Sequence, residues 1–451
     1  MFLRESSKNL TEAKKAEQAS VAEALLHVVQ QHRAYNTEIL SLLKSRHIGD
    51  LLHMVRHELI KGSSPFLRDL CLAIFVGAPL FKPLQRAVSF LPEPTITADL
   101  FGITRKAAEK IVEGSSHSLR YYLSHPRFLW SACMSSYIGT LLFGKISPFD
   151  PKAFAKNTSG FLFKERFRDS GNAGLEIDWT VGPTPTVGDH LAQEAVAAIE
   201  ALNMGDSLCF PHTMWIYINL QNIRGISEKH RSEALLHASK KAPRIFRLAS
   251  VSVDAPFYKG NDQKKSLDEH RKILLTELKK GCTHSRSSWY AFSLMKGEEE
   301  EWWQCIDQVL EKAVFLSERT DQKIRVFHEL VVLGLIRAWQ GFCCRNAAKS
   351  VISTIACKEC ADRGGSINAA FTWALSHEDD LEKAHIVETV LWGRPLLSRK
   401  RLIDSSRTQG FEALVRAFEP IVVRKYLEEI WNEACQGRWQ KSGDLLIAKN
   451  I

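Results

Sequence analysis

The spacing of apolar positions along the chain changes character near residue 185. From about Leu10 to Ile60, apolar residues such as Val21, Leu25, Val28 and Val29 recur three and four apart among Ala, Glu and Lys, which predicts amphipathic helices in a bundle or lever. Gly62-Ser63-Ser64-Pro65 breaks that pattern. Leu70 to Phe81 is uncharged but about half the ~20 residues of a bilayer span, and Gly77 and Pro79 interrupt it, so a buried core helix is predicted. Ala98 to Ser118 is amphipathic and basic through Arg105, Lys106 and Lys110, and reads as a solvated helix face. Phe128 to Gly144 is the longest uncharged stretch, at the lower edge of spanning length and interrupted by Ser, Gly and Thr. A helix packed within the N-terminal region or lying on a membrane is predicted ahead of a transmembrane one.

From Ile146 to Pro185 the composition shifts to Pro, Gly, Asp and aromatics and ends in Gly182-Pro183-Thr184-Pro185, which predicts a domain boundary. Beyond it, strands and helices alternate. Thr213–Leu220 and Ile245–Val253 read as strands. Asp189–Leu202, Ser227–Ser239, Trp302–Phe315 and Gln322–Trp339 read as helices, and Ser266-x-x-Glu269 is a capping box opening one that Gly281 ends. The expectation is an α/β fold, a mixed sheet with flanking helices over residues 151–410. A mainly helical region at 1–150 precedes it, and C-terminal helices at 411–451 cover the sheet.

In that alternation one stretch carries chemistry. Val351 to Leu375 reads strand, tight loop, helix, with Cys357 at the start of the loop, Arg363 six positions on, and Gly364 and Gly365 following. A loop wrapped around a phosphoryl group at a helix N-terminus offers backbone N–H donors and the positive end of the helix dipole. The same field favours a thiolate, so Cys357 is the candidate nucleophile and Arg363 the planar clamp on the phosphoryl oxygens. Lys358 would read a further phosphate, and Asp362 would protonate the leaving oxygen or orient water. Gly364 and Gly365 complete the loop's phosphate-binding set, and the basic run Arg394, Arg399, Lys400, Arg401 follows it. That run is by default a solvated face, with Arg399, Lys400 and Arg401 as candidates for binding further phosphates.

Cys357-Lys358-x-x-x-Asp362-Arg363 resembles the active-site loop of the cysteine-dependent phosphoinositide phosphatases that bacteria deliver as effectors, which reads Cys-Lys-Ser-Gly-Lys-Asp-Arg-Thr. Cys357-x-Glu359-Cys360-x-Asp362-Arg363 is also similar to the Sac-type phosphoinositide phosphatases, with Cys-x-Asp-Cys-Leu-Asp-Arg-Thr. The resemblance implies a cysteine-phosphatase-like fold and metal-free hydrolysis of phosphate esters of inositol lipids or inositol phosphates, with no cofactor. It covers one loop and its flanks. Here the residue after the arginine is Gly364 rather than Thr, and Cys360 stands where the effector loops have glycine. Arg325 to Arg337 resembles the long helix that precedes the nucleophile strand in the effector enzymes. More loosely, Pro211 to Tyr258 resembles an uncharacterised family of chlamydial proteins, which implies no function.

Other readings share these residues. Cys357 as a buried apolar cysteine is one. Cys357 and Cys360 as a redox C-x-x-C is a second, and a zinc site from Cys343, Cys344, Cys357 and Cys360 a third. Asp254, Asp379 and Asp380 are alternative general acids, each by default a turn or capping residue, and His328 reads as a satisfied helix residue. A non-enzymatic phosphoinositide-binding protein with a degenerate loop is the competing function.

Composition narrows the setting. The 451 residues are 45% hydrophobic and 25% charged, as in an ordinary globular chain. A net charge of +9 favours anionic partners such as polyphosphate head groups or a membrane surface, and no nucleic-acid motif is present. Ten scattered cysteines fit a reducing compartment. The first eighteen residues lack the apolar core of a secretory signal, and their Ser, Thr and Lys content suits a type III secretion leader. The expected location is therefore the cytoplasm or a host cell, with peripheral membrane contact.

Overall fold

The computed structural model describes residues 2–33, 37–89, 91, 160–187, 189–225, 228–255, 265–283, 288–345, 349–358, 360, 362–377, 380–399, 403, 405–443 and 445–447. The N-terminal part holds α1 (Phe2–Gln31), α2 (Thr37–Ser45), α3 (Ile48–Lys61), α4 (Pro65–Val76) and α5 (Phe81–Val88). The α/β part follows with β1 (Gly160–Arg168), β2 (Gly174–Pro183), β3 (Thr186–Val187), β4 (His190–Leu191), α6 (Gln193–Met204), β5 (Thr213–Asn219), α7 (Lys229–Lys241) and β6 (Phe246–Val251). It continues through α8 (Leu267–Cys282), β7 (Tyr290–Phe292), α9 (Glu299–Ser317), α10 (Lys323–Cys344), β8 (Ser350–Cys357) and α11 (Arg363–Leu375). The C-terminal part is α12 (Asp380–Arg399), α13 (Ser405–Ala417), α14 (Pro420–Ala434), β9 (Gln440–Lys441) and β10 (Leu446–Ile447).

One mixed sheet runs β10-β1-β2-β8-β5-β6-β7, with β9 also on β1. Its centre, β2-β8-β5-β6, is parallel, and the outer neighbours β1 and β7 pair antiparallel. Strands covered on both faces read as continuous apolar runs, which is why TMWIYIN and SVISTIAC lack polar alternation. Their side chains still divide by the two-residue period. Ile216, Ile218, Val351 and Ile355 point into a core made with α9, α10, α11 and α14, while Trp215, Tyr217, Ile352 and Ala356 point into a second core with α4, α6 and α7. The result is helices on both faces of the sheet.

The described helices of residues 1–150 have no core of their own. Leu10, Ala13, Phe81 and Leu84 belong to the first core, and Val21, Leu25, Leu51 and Leu70 to the second. Ion pairs reinforce this docking: Arg56 on α3 holds the buried Glu194 on α6 at 2.7 and 3.1 Å. As expected, α4 is a buried helix ended near Gly77. The stretches 98–118 and 128–144 lie outside the described residues. One described helix, α10, is long and apolar enough to cross a membrane, but its apolar window is 94% buried inside the fold.

Two expectations need correction here. The boundary read between Ile146 and Pro185 contains the β1-β2 hairpin, turned by Asp169 accepting from the N–H groups of Gly171 and Ala173 at 2.9 and 2.8 Å. Leu175, Ile177, Trp179 and Val181 alternate into the core, a strand signal masked by the glycines and prolines at its ends. Gly281 does not end α8, which runs on to Cys282. It is small because a Cβ there would lie 2.8 Å from that of Tyr290 on β7.

Candidate active site

The parallel strands send their connections alternately to opposite faces. The loop after β8 leads to α11 in the first core, and the loop after the adjacent β5 leads to α7 in the second. That divergence opens a crevice at the carboxyl ends of β8 and β5, where open α/β sheets hold ligands. Residues 357–363 lie in it.

The loop is folded rather than extended. Cys360 N–H donates to the Cys357 carbonyl at 3.3 Å, Thr184 at the end of β2 donates from N–H to the Lys358 carbonyl at 3.4 Å, and Ser366 N–H donates to the Asp362 carbonyl at 3.1 Å. Cys360 takes φ +53°, the left-handed conformation for which glycine is the usual residue. The adjustment is made at Gly364, where a Cβ would collide with the Cys360 sulfur.

Cys357 ends β8 opposite Pro183, near the backbone N–H groups of Asp362 and Gly364. Its acidity is strengthened first by the Cys360 thiol, then by the Arg363 charge and those N–H groups, and these together outweigh burial, so its pKa lies below the ordinary thiol value. Cys360 moves the other way, raised by its neighbour Cys357 and by burial, so it stays a thiol, its sulfur 3.1 Å from the Ile355 carbonyl.

Arg363 opens α11 and is buried. Its Nη1 donates to the Leu220 carbonyl at 3.1 Å, to Glu228 at 3.0 Å and to Asp254 Oδ2 at 2.7 Å, and its Nη2 donates to Glu228 Oε1 at 2.5 Å. None of these contacts uses Nε. Burial works to raise the Glu228 carboxyl, but Arg363 and the Asn222 N–H hold it below the ordinary range, so it stands as a carboxylate. Two carboxylates and a strand-end carbonyl therefore fix the guanidinium beside the thiolate.

The remaining predicted residues fall as follows. Lys358 lies on the loop and Asp362 at the N-cap of α11, without a side-chain capping bond. A Cβ on Gly365 would lie 3.2 Å from Ile403 and 3.3 Å from the Leu391 carbonyl, so its smallness serves packing of α11 on α12. The side chain of Arg399, and Lys400, Arg401 and Asp379 entirely, lie outside what is described, as does the side chain of Asp380. Arg394 departs from the solvated face expected of its cluster. It is buried and 3.7 Å from the buried Glu17 of α1. The four-cysteine zinc arrangement is not formed: among the described residues the only group with ligand spacing is His32, Asp69 and Cys209. His328 is buried against His270 at 3.2 Å.

Sequence reasoning missed Glu228, 135 residues before Arg363 in the chain, and it ranked Asp254 as a turn residue. A helix-start glutamate and a strand-end aspartate have no local signal of partnership with a distant arginine. No family model, curated protein or solved structure matches the chain.

Proposed function

We propose that the protein is a cysteine-dependent phosphatase, with a cysteine-phosphatase-like sheet, that hydrolyses phosphoinositides or inositol phosphates. The reading rests on one observation: the loop after β8 folds between a strand end and a helix N-terminus with Cys357 at its start and, at its end, Arg363, whose guanidinium is fixed by Glu228 and Asp254 and whose charge lowers the thiol pKa. In the first step the Cys357 thiolate attacks phosphorus, an S–P bond forms, and the ester P–O bond breaks as the leaving oxygen takes a proton from Asp362. Water then attacks the cysteinyl phosphate, giving up a proton to the Asp362 carboxylate and releasing inorganic phosphate and the thiolate. Arg363 and the loop N–H groups hold the equatorial oxygens, where charge builds up in both transition states. Asp254 and Glu228, both committed to Arg363, are positioning residues, which leaves the acid role with Asp362. Lys358 reads an additional phosphate. The net charge of +9 supports action at an anionic membrane, peripherally bound, as an effector delivered to a host cell would act.

The test is phosphate release from phosphoinositides and soluble inositol phosphates, under reducing and metal-free conditions, by wild type and Cys357→Ser. Cys357→Ser should lose on the order of 10³-fold or more of the rate. Equal release by both would remove the cysteine mechanism. A second reading, phosphoinositide binding without cleavage, draws support from Cys357 being only 3% exposed and from Arg363 being engaged by two carboxylates. It predicts no release by either protein, with retained binding to phosphoinositide vesicles.

A further inference from the structure

A cavity of about 90 Å³ lies beside Arg363, walled by α10, α11, α13 and the segment after β6. Three guanidinium groups reach its lining: Arg325 from the first turn of α10, Arg363 from the loop, and Arg407 from α13. Asp254 accepts from Arg363 and forms an ion pair with Arg407, so those two are tied together in place. Arg325 has no carboxylate partner among the described residues. Ser366, also in the lining, is 2% exposed, and its Oγ makes no hydrogen bond. An orphaned buried hydroxyl among arginines is unsatisfied without a ligand that can accept from it.

The acid in the wall fits the same occupant. Glu329 sits where Gly410 has no side chain to exclude it. Burial pushes its carboxyl up to about 7, so near neutrality much of it carries a proton to donate rather than a repelling charge. His328 adds no charge: burial first and then the adjacent His270 hold it neutral. The space is large enough for a compact anion such as a phosphoryl group.

We propose that this cavity is a second phosphate subsite, reached from the loop through Arg363, so that the site selects esters carrying an additional phosphate over monophosphates. The proposal rests on the phosphatase reading for its substrate, but its binding arm does not. Lipid head groups and soluble inositol phosphates present the same group, and both are tested.

The measurement is kcat/KM for inositol monophosphates and bisphosphates, free and as their phosphoinositide counterparts in vesicles, for wild type, Arg325→Ala and Arg325→Lys. In parallel, pyrophosphate binding to Cys357→Ser, with and without Arg325→Ala, is followed by calorimetry. Arg325→Ala should lower the bisphosphate to monophosphate ratio at least about fivefold, Arg325→Lys should recover part of it, and pyrophosphate binding should weaken by a similar factor. A ratio that changes in vesicles alone identifies the lipid as the source of the group, and one that changes for both forms identifies the phosphate itself. An unchanged ratio, or pyrophosphate binding indifferent to Arg325, overturns the subsite. If no protein releases phosphate, the phosphatase reading fails, and the pyrophosphate arm alone decides: Arg325-dependent binding upholds the subsite, and its absence removes it.

Discussion

Cys360 and Gly364 act as a pair. A left-handed φ at a residue with a Cβ costs roughly 1–2 kcal/mol, and the loop tolerates it because the thiol has a place to go, over Gly364, with its sulfur 3.1 Å from the Ile355 carbonyl. Gly364→Ala should therefore destabilise the protein by about 1–3 kcal/mol through overpacking, and adding Cys360→Gly should return most of that loss. Urea unfolding of the two single variants and the double variant measures it. Additive effects would show that the sulfur is not what Gly364 accommodates.

Among the elements, α10 carries a buried ion pair and a buried histidine. Arg337 forms a bidentate pair with Glu165 of β1 at 2.8 and 3.0 Å, both fully buried, and Trp179 Nε1 also donates to Glu165 at 2.8 Å. One turn from its start, His328 meets His270 of α8. Burial, and then His270, lower His328 from 6.5 to about 3. Between those values the unfolded chain binds a proton that the folded one refuses, so stability falls as pH falls through that window. Glu329, raised from 4.5 to about 7 by burial, acts in the opposite sense, losing stability as pH rises. Comparison with His328→Phe isolates the histidine. Wild type should lose on the order of 2 kcal/mol more than the variant between about pH 7.5 and about pH 4.5, read from denaturant midpoints. Parallel losses would mean that His328 charges in the folded protein.

At the level of the whole molecule, the described N-terminal helices complete both cores, α1 and α5 in the first and α1 to α4 in the second. In α4, Leu70, Leu72, Ile74, Phe75 and Val76 are all buried, and at roughly 1.5–3 kcal/mol for each large side chain they contribute on the order of 10 kcal/mol, comparable to the whole stability of a domain. A chain starting at residue 160 should expose Trp215, Tyr217 and Phe246, bind a hydrophobic dye and lose its cooperative thermal transition. Cooperative unfolding with little dye binding would establish the α/β part as independent of α1–α5.

Taken alone, the sequence determined the local things. The period of three to four gave the helices, because burial of one face is written into the spacing itself, and short continuous apolar runs gave the central strands, which are covered on both faces. The capping box Ser266–Glu269 and the strand, loop and helix around Cys357 were legible for the same reason: their partners lie within a few residues. The hairpin β1-β2 was hidden by Gly and Pro that finish strands as readily as they make linkers. What only the tertiary structure decided depends on residues far apart in the chain. Glu228 and Asp254 fixing Arg363, Gly364 yielding to Cys360, Arg394 burying against Glu17, and the arginines of α10 and α13 meeting beside the loop are consequences of how the sheet orders its strands. Periodicity fixes which face a side chain takes. Charge partnership needs the distance between elements, which no local pattern carries.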